Sequence, residues 1–297
     1  MINIALIGCG RIGQMHAANV AKHERTNLEM VFDADYKSAE KVAHLFDCKL
    51  AESASKIFGT ENIDGVIIAS ATSTHADYIE MAVAAGKPVL CEKPIDLDLE
   101  RVNRCAKQIF GTSVPIQMGF NRRYDPGHNS AREAVLAGEI GELHQVIITS
   151  RDPEIPPKAY LEAAGGLFRD MTIHDFDLAR FMLGEDPIEV FAFANALGDS
   201  KLGAELNEVD SAMFILRTAS GKQCHINNSR KAVYGYDQRI ELMGSNGMVI
   251  SGNRKPNELK KYSQNGVETA VPYQFFFINP VSNLNIISSL LRKTRQY

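Results

Sequence analysis

The segment from Gly165 to Asp177 holds the residues best suited to chemistry. It places a carboxylate, Asp170, four positions before an imidazole, His174. If the segment is helical, as its apolar positions indicate, the two side chains share one face about one turn apart. A carboxylate that orients a histidine makes a proton acceptor that works near neutral pH. The alternative is an ordinary surface hydrogen bond between the two side chains.

Metal binding by Asp170, His174 and Asp177 is conceivable from their spacing. No cysteine or histidine partner accompanies the three residues, and protein zinc sites usually include such ligands. We therefore expect no metal site in this segment.

A glycine-rich turn with the sequence GCGRIG joins the first predicted strand to the first predicted helix. In this context the pattern is a dinucleotide-binding fingerprint. The first glycine permits a tight turn, the second lets a pyrophosphate approach the backbone, and the third allows close helix packing. The helix N-terminus supplies N–H donors to the phosphates. The alternative is a turn that binds no ligand. We predict cofactor contacts from Gly8, Gly10, Arg11, Ile12 and Gly13.

Asp33 ends the second predicted strand, where an acidic residue receives the ribose hydroxyls in dinucleotide-binding folds. A carboxylate at this point repels a 2′-phosphate, and no arginine follows directly to reverse that preference. The sequence therefore favours NAD over NADP. Asp35 could take the same role, or Asp33 could merely cap the helix that starts near Ser38.

Two later strand ends carry further candidates. Small and hydroxylated residues in ATSTHAD suit a nucleotide lying over the backbone, and we predict contacts from Ala71 and Thr74. The alternative is that Ser73 or Thr74 only caps the next helix. After the fourth strand, Glu92 and Lys93 are predicted at the cofactor, and Lys93 could stabilise a developing alkoxide. A lone lysine after a strand is more often a solvated surface group.

The elements that must position these residues follow two patterns. Up to Asn121, short apolar strands alternate with helices, which predicts a doubly wound parallel sheet covered on both faces. From Arg122 onward, longer strand-like runs predict a mostly antiparallel sheet with helices on one face. We expect a nucleotide-binding domain over residues 1–121 and a substrate-binding and oligomerisation domain over residues 122–297.

Composition narrows the class of protein. A chain of 297 residues is long for one core, and its net charge of −4 with scattered basic residues argues against nucleic acid or anionic membrane as partner. Five cysteines without C-x-x-C spacing favour a reducing compartment over a disulfide or zinc framework. No run approaches the ~20 apolar residues of a transmembrane helix. We expect a soluble cytoplasmic protein.

Four motifs, GCGRIG, ATSTHAD, CEKP and GGLFRDMTIHDFD, occur together in this chain. In order and spacing the chain resembles the glucose–fructose oxidoreductase/inositol dehydrogenase (Gfo/Idh/MocA) family over residues 1 to about 275. Within the family it is most similar to bacterial myo-inositol 2-dehydrogenases, through MGFNRRYDP, SRDP and YGYDQR. The resemblance implies that Lys93, Asp170 and His174 converge on the substrate and that Arg123 and Tyr236 contact it. It also implies a cis Lys93–Pro94 bond.

The resemblance implies a reaction as well. His174, oriented by Asp170, takes the proton of a secondary hydroxyl of a cyclic polyol, and Lys93 stabilises the oxyanion while the hydride passes to NAD. For myo-inositol the product is scyllo-inosose, a step of inositol catabolism, and a homo-oligomer, dimer or tetramer, is expected. The alternatives are a dehydrogenase for another inositol isomer or an aldose, or a non-catalytic sugar- or nucleotide-binding homologue.

The end of the chain departs from the family pattern. After about Gln274 the resemblance stops, and a basic terminus replaces the helical segment expected there. We interpret this as an altered or shortened C-terminus whose loss of packing would lower activity. The alternative is a genuine lineage-specific tail.

Overall fold

A computed structural model of the chain describes residues 1–253, 260–263 and 266–269. Among these residues there are two compact units, one spanning Met1–Asn121 and the other beginning at Arg122. The departure predicted after about Gln274 lies outside the described residues.

The first unit is a six-stranded sheet with the order β3-β2-β1-β4-β5-β6 and with every pair parallel. This confirms the predicted doubly wound sheet. The strands are β1 (Ile2–Ile7), β2 (Thr26–Phe32), β3 (Lys49–Leu50), β4 (Gly65–Ile68), β5 (Val89–Cys91) and β6 (Ile116–Met118). The helices are α1 (Arg11–Lys22), α2 (Tyr36–Phe46), α3 (Ala54–Phe58), α4 (His75–Ala84) and α5 (Leu99–Ile109).

The strand order reverses between β1 and β4, which lie side by side. In such sheets the ligand site lies outside the carboxyl ends of the strands at this reversal. The loops after β1, β4 and β5 therefore belong to one edge of the sheet. Helices cover both faces, so Leu6 and Ile7 of β1 are both fully buried although their side chains point in opposite directions.

The second unit is a six-stranded sheet with the order β12-β11-β7-β10-β9-β8. Only the pair β7–β10 is parallel, which confirms the predicted mostly antiparallel sheet. Its strands are β7 (Leu143–Arg151), β8 (Pro187–Asn195), β9 (Ser211–Thr218), β10 (Gln223–Ser229), β11 (Asp237–Gly244) and β12 (Gly247–Ser251), and β13 (Lys260–Ser263) pairs with β14 (Gly266–Thr269) as a separate hairpin. Its helices are α6 (Pro126–Leu136), α7 (Lys158–Ala164), α8 (Ile173–Leu183) and α9 (Ser200–Leu206).

Side-chain alternation along β9 shows how this sheet is covered. Ala212, Phe214 and Leu216 are buried, whereas Met213 and Ile215 between them are exposed. The buried face packs against α8, whose Leu178 and Met182 belong to the same core. The opposite face remains exposed and apolar in the described chain.

A π-helical turn over Phe168–Thr172 runs directly into α8. The helical segment predicted around Asp170 and His174 is therefore present, but its first turn is wider than an α-helical turn. Such π-helical turns within helices occur frequently at functional sites.

Over the described part of the chain, we find no helix that has both the length and the apolar composition needed to cross a membrane.

Candidate functional site

The glycine-rich loop after β1 is shaped by two close approaches of the backbone. A Cβ atom on Gly8 would lie 2.3 Å from the carbonyl carbon of Ala69, and one on Gly13 would lie 1.9 Å from the carbonyl oxygen of Gly8. A Cβ atom on Gly10 would meet nothing within 4 Å. Packing within the protein therefore requires glycine at positions 8 and 13 but not at position 10. The open space at Gly10 fits the approach of a ligand to the backbone.

This difference gives a paired prediction. Gly13→Ala is expected to lower the free energy of unfolding by about 1–3 kcal/mol, because the added methyl group overlaps a backbone oxygen. Gly10→Ala is expected to leave it within about 0.5 kcal/mol, since Gly10 has φ −67° and open space, while weakening NAD binding at least tenfold, about 1.4 kcal/mol. Denaturant unfolding and NAD titration check both variants. Equal loss of stability in the two variants would contradict this interpretation.

Asp33 holds the end of β2 against the glycine-rich loop. Its carboxylate accepts hydrogen bonds from the backbone N–H of Cys9 at 2.6 Å and of Asp35 at 2.8 Å. The cap of α2 is Asp35, which accepts from the backbone N–H of Lys37, and α2 begins at Tyr36. The capping alternative therefore applies to Asp35 and not to Asp33. The role of Asp33 at the ribose stays a prediction.

The loop after β4 is tied together by its own hydroxyl groups. Thr74 Oγ1 donates to the carbonyl oxygen of Ala71 at 2.8 Å and lies 2.7 Å from Ser70 Oγ. Thr74 is the N-cap residue of α4, yet its side chain makes no capping hydrogen bond to the helix. The Thr74 side chain therefore does not cap α4. Ala71 is exposed and Thr74 is half-buried.

The loop after β5 carries Glu92 and Lys93, and the Lys93–Pro94 bond is cis, as expected. Glu92 Oε1 lies 2.8 Å from the Nε2 atom of the buried His16. Burial raises the pKa of the Glu92 carboxyl, but the hydrogen bond from His16 and the nearby positive charges outweigh burial, so this pKa lies below its ordinary value. His16 therefore contacts a residue 76 positions away in the sequence.

In the second unit, Asp170 has two partners that the sequence did not indicate. Tyr160 donates its hydroxyl to Asp170 Oδ1 at 2.9 Å, and Arg230 donates from Nη2 to Oδ2 at 3.0 Å. The Arg230 side chain is only 2% exposed, and that of Asp170 is 14% exposed. A buried guanidinium needs a negative partner, and Asp170 supplies one.

His174 is buried in the first turn of α8, and a polar network anchors this turn to β10. The fully buried Asp175 accepts from Asn228 Nδ2 at 2.7 Å, and Asn228 Oδ1 accepts from Thr172 Oγ1 at 2.7 Å. Thr172 ends the π-helical turn, so Asn228 fixes both sides of the junction between that turn and α8. Burial raises the pKa of Asp175 to about 6.

The structure separates the two neighbouring arginines of the RRY sequence. Arg123 forms a two-bond ion pair with Asp177, at 2.7 and 2.5 Å. Arg122 is buried, with its guanidinium carbon 5.8 Å from the centre of the Tyr236 ring. Tyr236 is therefore grouped with Arg122 and not with the predicted Arg123. Sequence reasoning missed Arg122, because two adjacent arginines give no signal to distinguish them.

The described residues contain no group of three or more histidine, cysteine or acidic side chains that could hold a metal ion. Asp177, the third member of the conceivable metal set, is engaged by Arg123.

Two family models match the chain. Residues 2–120 match "Oxidoreductase family, NAD-binding Rossmann fold", and residues 128–250 match "GFO/IDH/MocA C-terminal domain". Together the two models account for most of the chain.

Individual relatives agree with these models. The inositol 2-dehydrogenase of Rhizobium meliloti (strain 1021) is 46% identical over 275 residues, covering 93% of this chain and 83% of that relative. A crystal structure of a myo-inositol dehydrogenase from Corynebacterium glutamicum has 40% identity and a TM-score of 0.92, covering 100% of this chain and 89% of that chain. The scyllo-inositol dehydrogenase of Lactobacillus casei, solved with bound NAD(H) and scyllo-inositol, has 26% identity and a TM-score of 0.88, covering 98% and 89%.

Proposed function

Because the chain belongs to the Gfo/Idh/MocA family of oxidoreductases, we propose that it is an NAD-dependent inositol 2-dehydrogenase that converts myo-inositol to scyllo-inosose. The observation that carries the proposal is the complete reacting set, Lys93, Asp170 and His174, in a chain that resembles inositol dehydrogenases over nearly its whole length. In this proposal residues 1–121 bind the cofactor and residues 122–297 bind the substrate.

The proposed chemistry assigns one task to each residue. His174 takes the proton of the substrate's secondary hydroxyl, and Lys93 stabilises the negative charge that develops on that oxygen. Bound NAD supplies the hydride acceptor. Asp170 orients His174 while its own charge is balanced by Arg230. Tyr236 contacts the polyol. Arg123 was also predicted to contact it, but Arg123 is paired with Asp177. Arg122, which packs on the Tyr236 ring, is the stronger candidate for the second polyol contact.

Substrate choice is tested by kcat/KM for myo-inositol, scyllo-inositol and glucose with NAD. The proposal expects the highest value for myo-inositol. A higher value for glucose would assign the chain to aldose oxidation, and NAD binding without turnover of any of the three would assign it to a non-catalytic role.

Cofactor choice gives a second prediction, which concerns Asp33. Asp33→Ser is expected to weaken NAD binding by about 10- to 100-fold, since hydrogen bonds to a charged group contribute about 1.5–3 kcal/mol. The same change removes the charge that repels a 2′-phosphate, so the ratio of NADP to NAD turnover rises. Asp35→Ala is the matched control: it removes the cap of α2 and lowers stability without changing NAD affinity. A loss of NAD affinity in Asp35→Ala and not in Asp33→Ser would assign the contact with the ribose to Asp35 instead of Asp33.

We also propose a homo-oligomer, a dimer or tetramer, formed through the exposed face of the second sheet. Phe191, Phe193, Met213 and Ile215 lie on neighbouring strands β8 and β9 and are 53–71% exposed. Contiguous apolar patches of this kind mark contact surfaces. Light scattering is expected to give a multiple of the 32.8 kDa chain mass for the wild type and a smaller species for Ile215→Glu. A monomeric wild type would contradict this.

We place the enzyme in the cytoplasm, with a small polyol as substrate and neither nucleic acid nor membrane as partner. All five cysteines are free, as a reducing compartment allows.

A further inference from the structure

His75 has an environment that the nucleotide fingerprint and the reacting residues do not explain. It is the first residue of α4, and only 2% of it is exposed. Its Nδ1 atom lies 2.7 Å from the carbonyl oxygen of Pro94, and its Nε2 atom lies 3.0 Å from the carbonyl oxygen of Ser70. Both ring nitrogens therefore face backbone carbonyl groups.

These two contacts determine the protons on the ring. A carbonyl oxygen can only accept a hydrogen bond, and a neutral imidazole has a single N–H group. In a neutral ring one nitrogen lone pair would point at a carbonyl oxygen within hydrogen-bonding distance. Only the doubly protonated ring donates to both carbonyl groups. Hydrogen bonds from a charged donor are stronger than neutral ones, which offsets part of the cost of burying the charge.

A negative charge is available nearby. Glu92 follows β5, the strand that pairs with β4. Burial raises the pKa of its carboxyl, whereas interactions with His16, Lys93 and His75 lower it, so this pKa lies below its ordinary value. The Glu92 carboxylate can therefore compensate the positive charge of a doubly protonated, buried His75. His75 and Glu92 belong to the same edge of the first unit.

The two carbonyl groups belong to the two loops that carry predicted site residues. Ser70 precedes Ala71 and Thr74, and Pro94 directly follows Lys93. We propose that His75 is a doubly protonated positioning residue that fastens the Lys93 loop to the Ser70 loop. Its positioning of Lys93 for catalysis rests on the proposed function, whereas its protonation state does not.

The protonation state is tested on the wild-type protein without substrate. The chain has eight histidines, and ¹H–¹⁵N spectra of ¹⁵N-histidine-labelled protein at neutral pH report each ring. The His75 signals are identified by their loss in His75→Gln or, if that variant does not fold, by correlation to the assigned backbone of the wild type. We expect two N–H groups on the His75 ring. One protonated and one unprotonated nitrogen would overturn the proposal.

The positioning role is tested by kinetics. Glutamine cannot donate in both directions, because its carbonyl oxygen faces one of the two acceptors. His75→Gln is therefore expected to lower kcat for polyol oxidation by about 10- to 100-fold, as misplacement of a reacting group does, with a smaller change in the Kd for NAD. His44→Gln, at an exposed histidine near the end of α2, is the control and keeps wild-type kcat. Wild-type kcat in His75→Gln would overturn the positioning role. If the wild type oxidises no polyol, the proposed function fails, while the spectra still decide the state of His75.

Discussion

Replacing His174 by alanine is expected to lower kcat for polyol oxidation by about 10²–10⁴, the usual contribution of a general base. His174 is buried at the start of α8, directly after the π-helical turn that carries Asp170. NAD binding is expected to persist, because the fingerprint loop belongs to the other unit. Steady-state kinetics and NAD titration measure the two effects separately.

The matched control is His144→Ala, at an exposed histidine of β7 in the same unit. This variant is expected to keep wild-type kcat. Full polyol oxidation by His174→Ala would remove His174 from the mechanism. A large decrease of kcat in His144→Ala would mean that the decrease of kcat in His174→Ala does not report on proton transfer.

Replacing Asp170 by alanine is expected to lower the free energy of unfolding by about 3–5 kcal/mol. The same variant is expected to have a lower kcat for polyol oxidation. The physical reason for the loss of stability is Arg230, whose side chain is 2% exposed and would be left buried without its carboxylate partner. Urea unfolding of the wild type and of Asp170→Ala measures the difference. A rate lost in this variant therefore cannot be assigned to chemistry alone.

A double variant separates the two effects. In Asp170→Ala with Arg230→Met, the unpaired charge is absent, so most of the lost stability is expected to return while activity stays low. Glu189→Gln, which breaks the exposed pair with Arg217, is the control and is expected to change stability little. Wild-type stability in the single Asp170→Ala variant would contradict the role given to Arg230.

The first unit could be predicted almost element by element. The buried run of β1 followed by a glycine-rich turn and a helix is a strong local pattern, and the parallel sheet follows from the repeat of such units. The elements β3 and α3 were not predicted. They have only two and five residues, too few to show a periodic spacing of apolar side chains. The π-helical turn was also missed, because apolar spacing predicts a helix without fixing its hydrogen-bond register.

The partners within the site could not be predicted. Arg230 lies 60 positions from Asp170, and no spacing rule connects them. His16 and His75 contact residues of the loop after β5, namely Glu92 and Pro94. Only the folded sheet brings these histidines and this loop together. Arg122 and Arg123 are neighbours in sequence, yet one is buried beside Tyr236 and the other pairs with Asp177. The residues that could do chemistry were visible in the sequence, whereas those that hold them were not.

Hydride transfer from carbon 2 of myo-inositol to NAD can be followed with an isotope label. Purified protein is mixed with NAD and myo-inositol that carries deuterium on carbon 2, and the reduced cofactor is analysed by absorbance and mass spectrometry. The account predicts NADH formation with one deuterium in each molecule, because the hydride comes from the carbon whose hydroxyl is oxidised. No NADH, or NADH without the label, would contradict it.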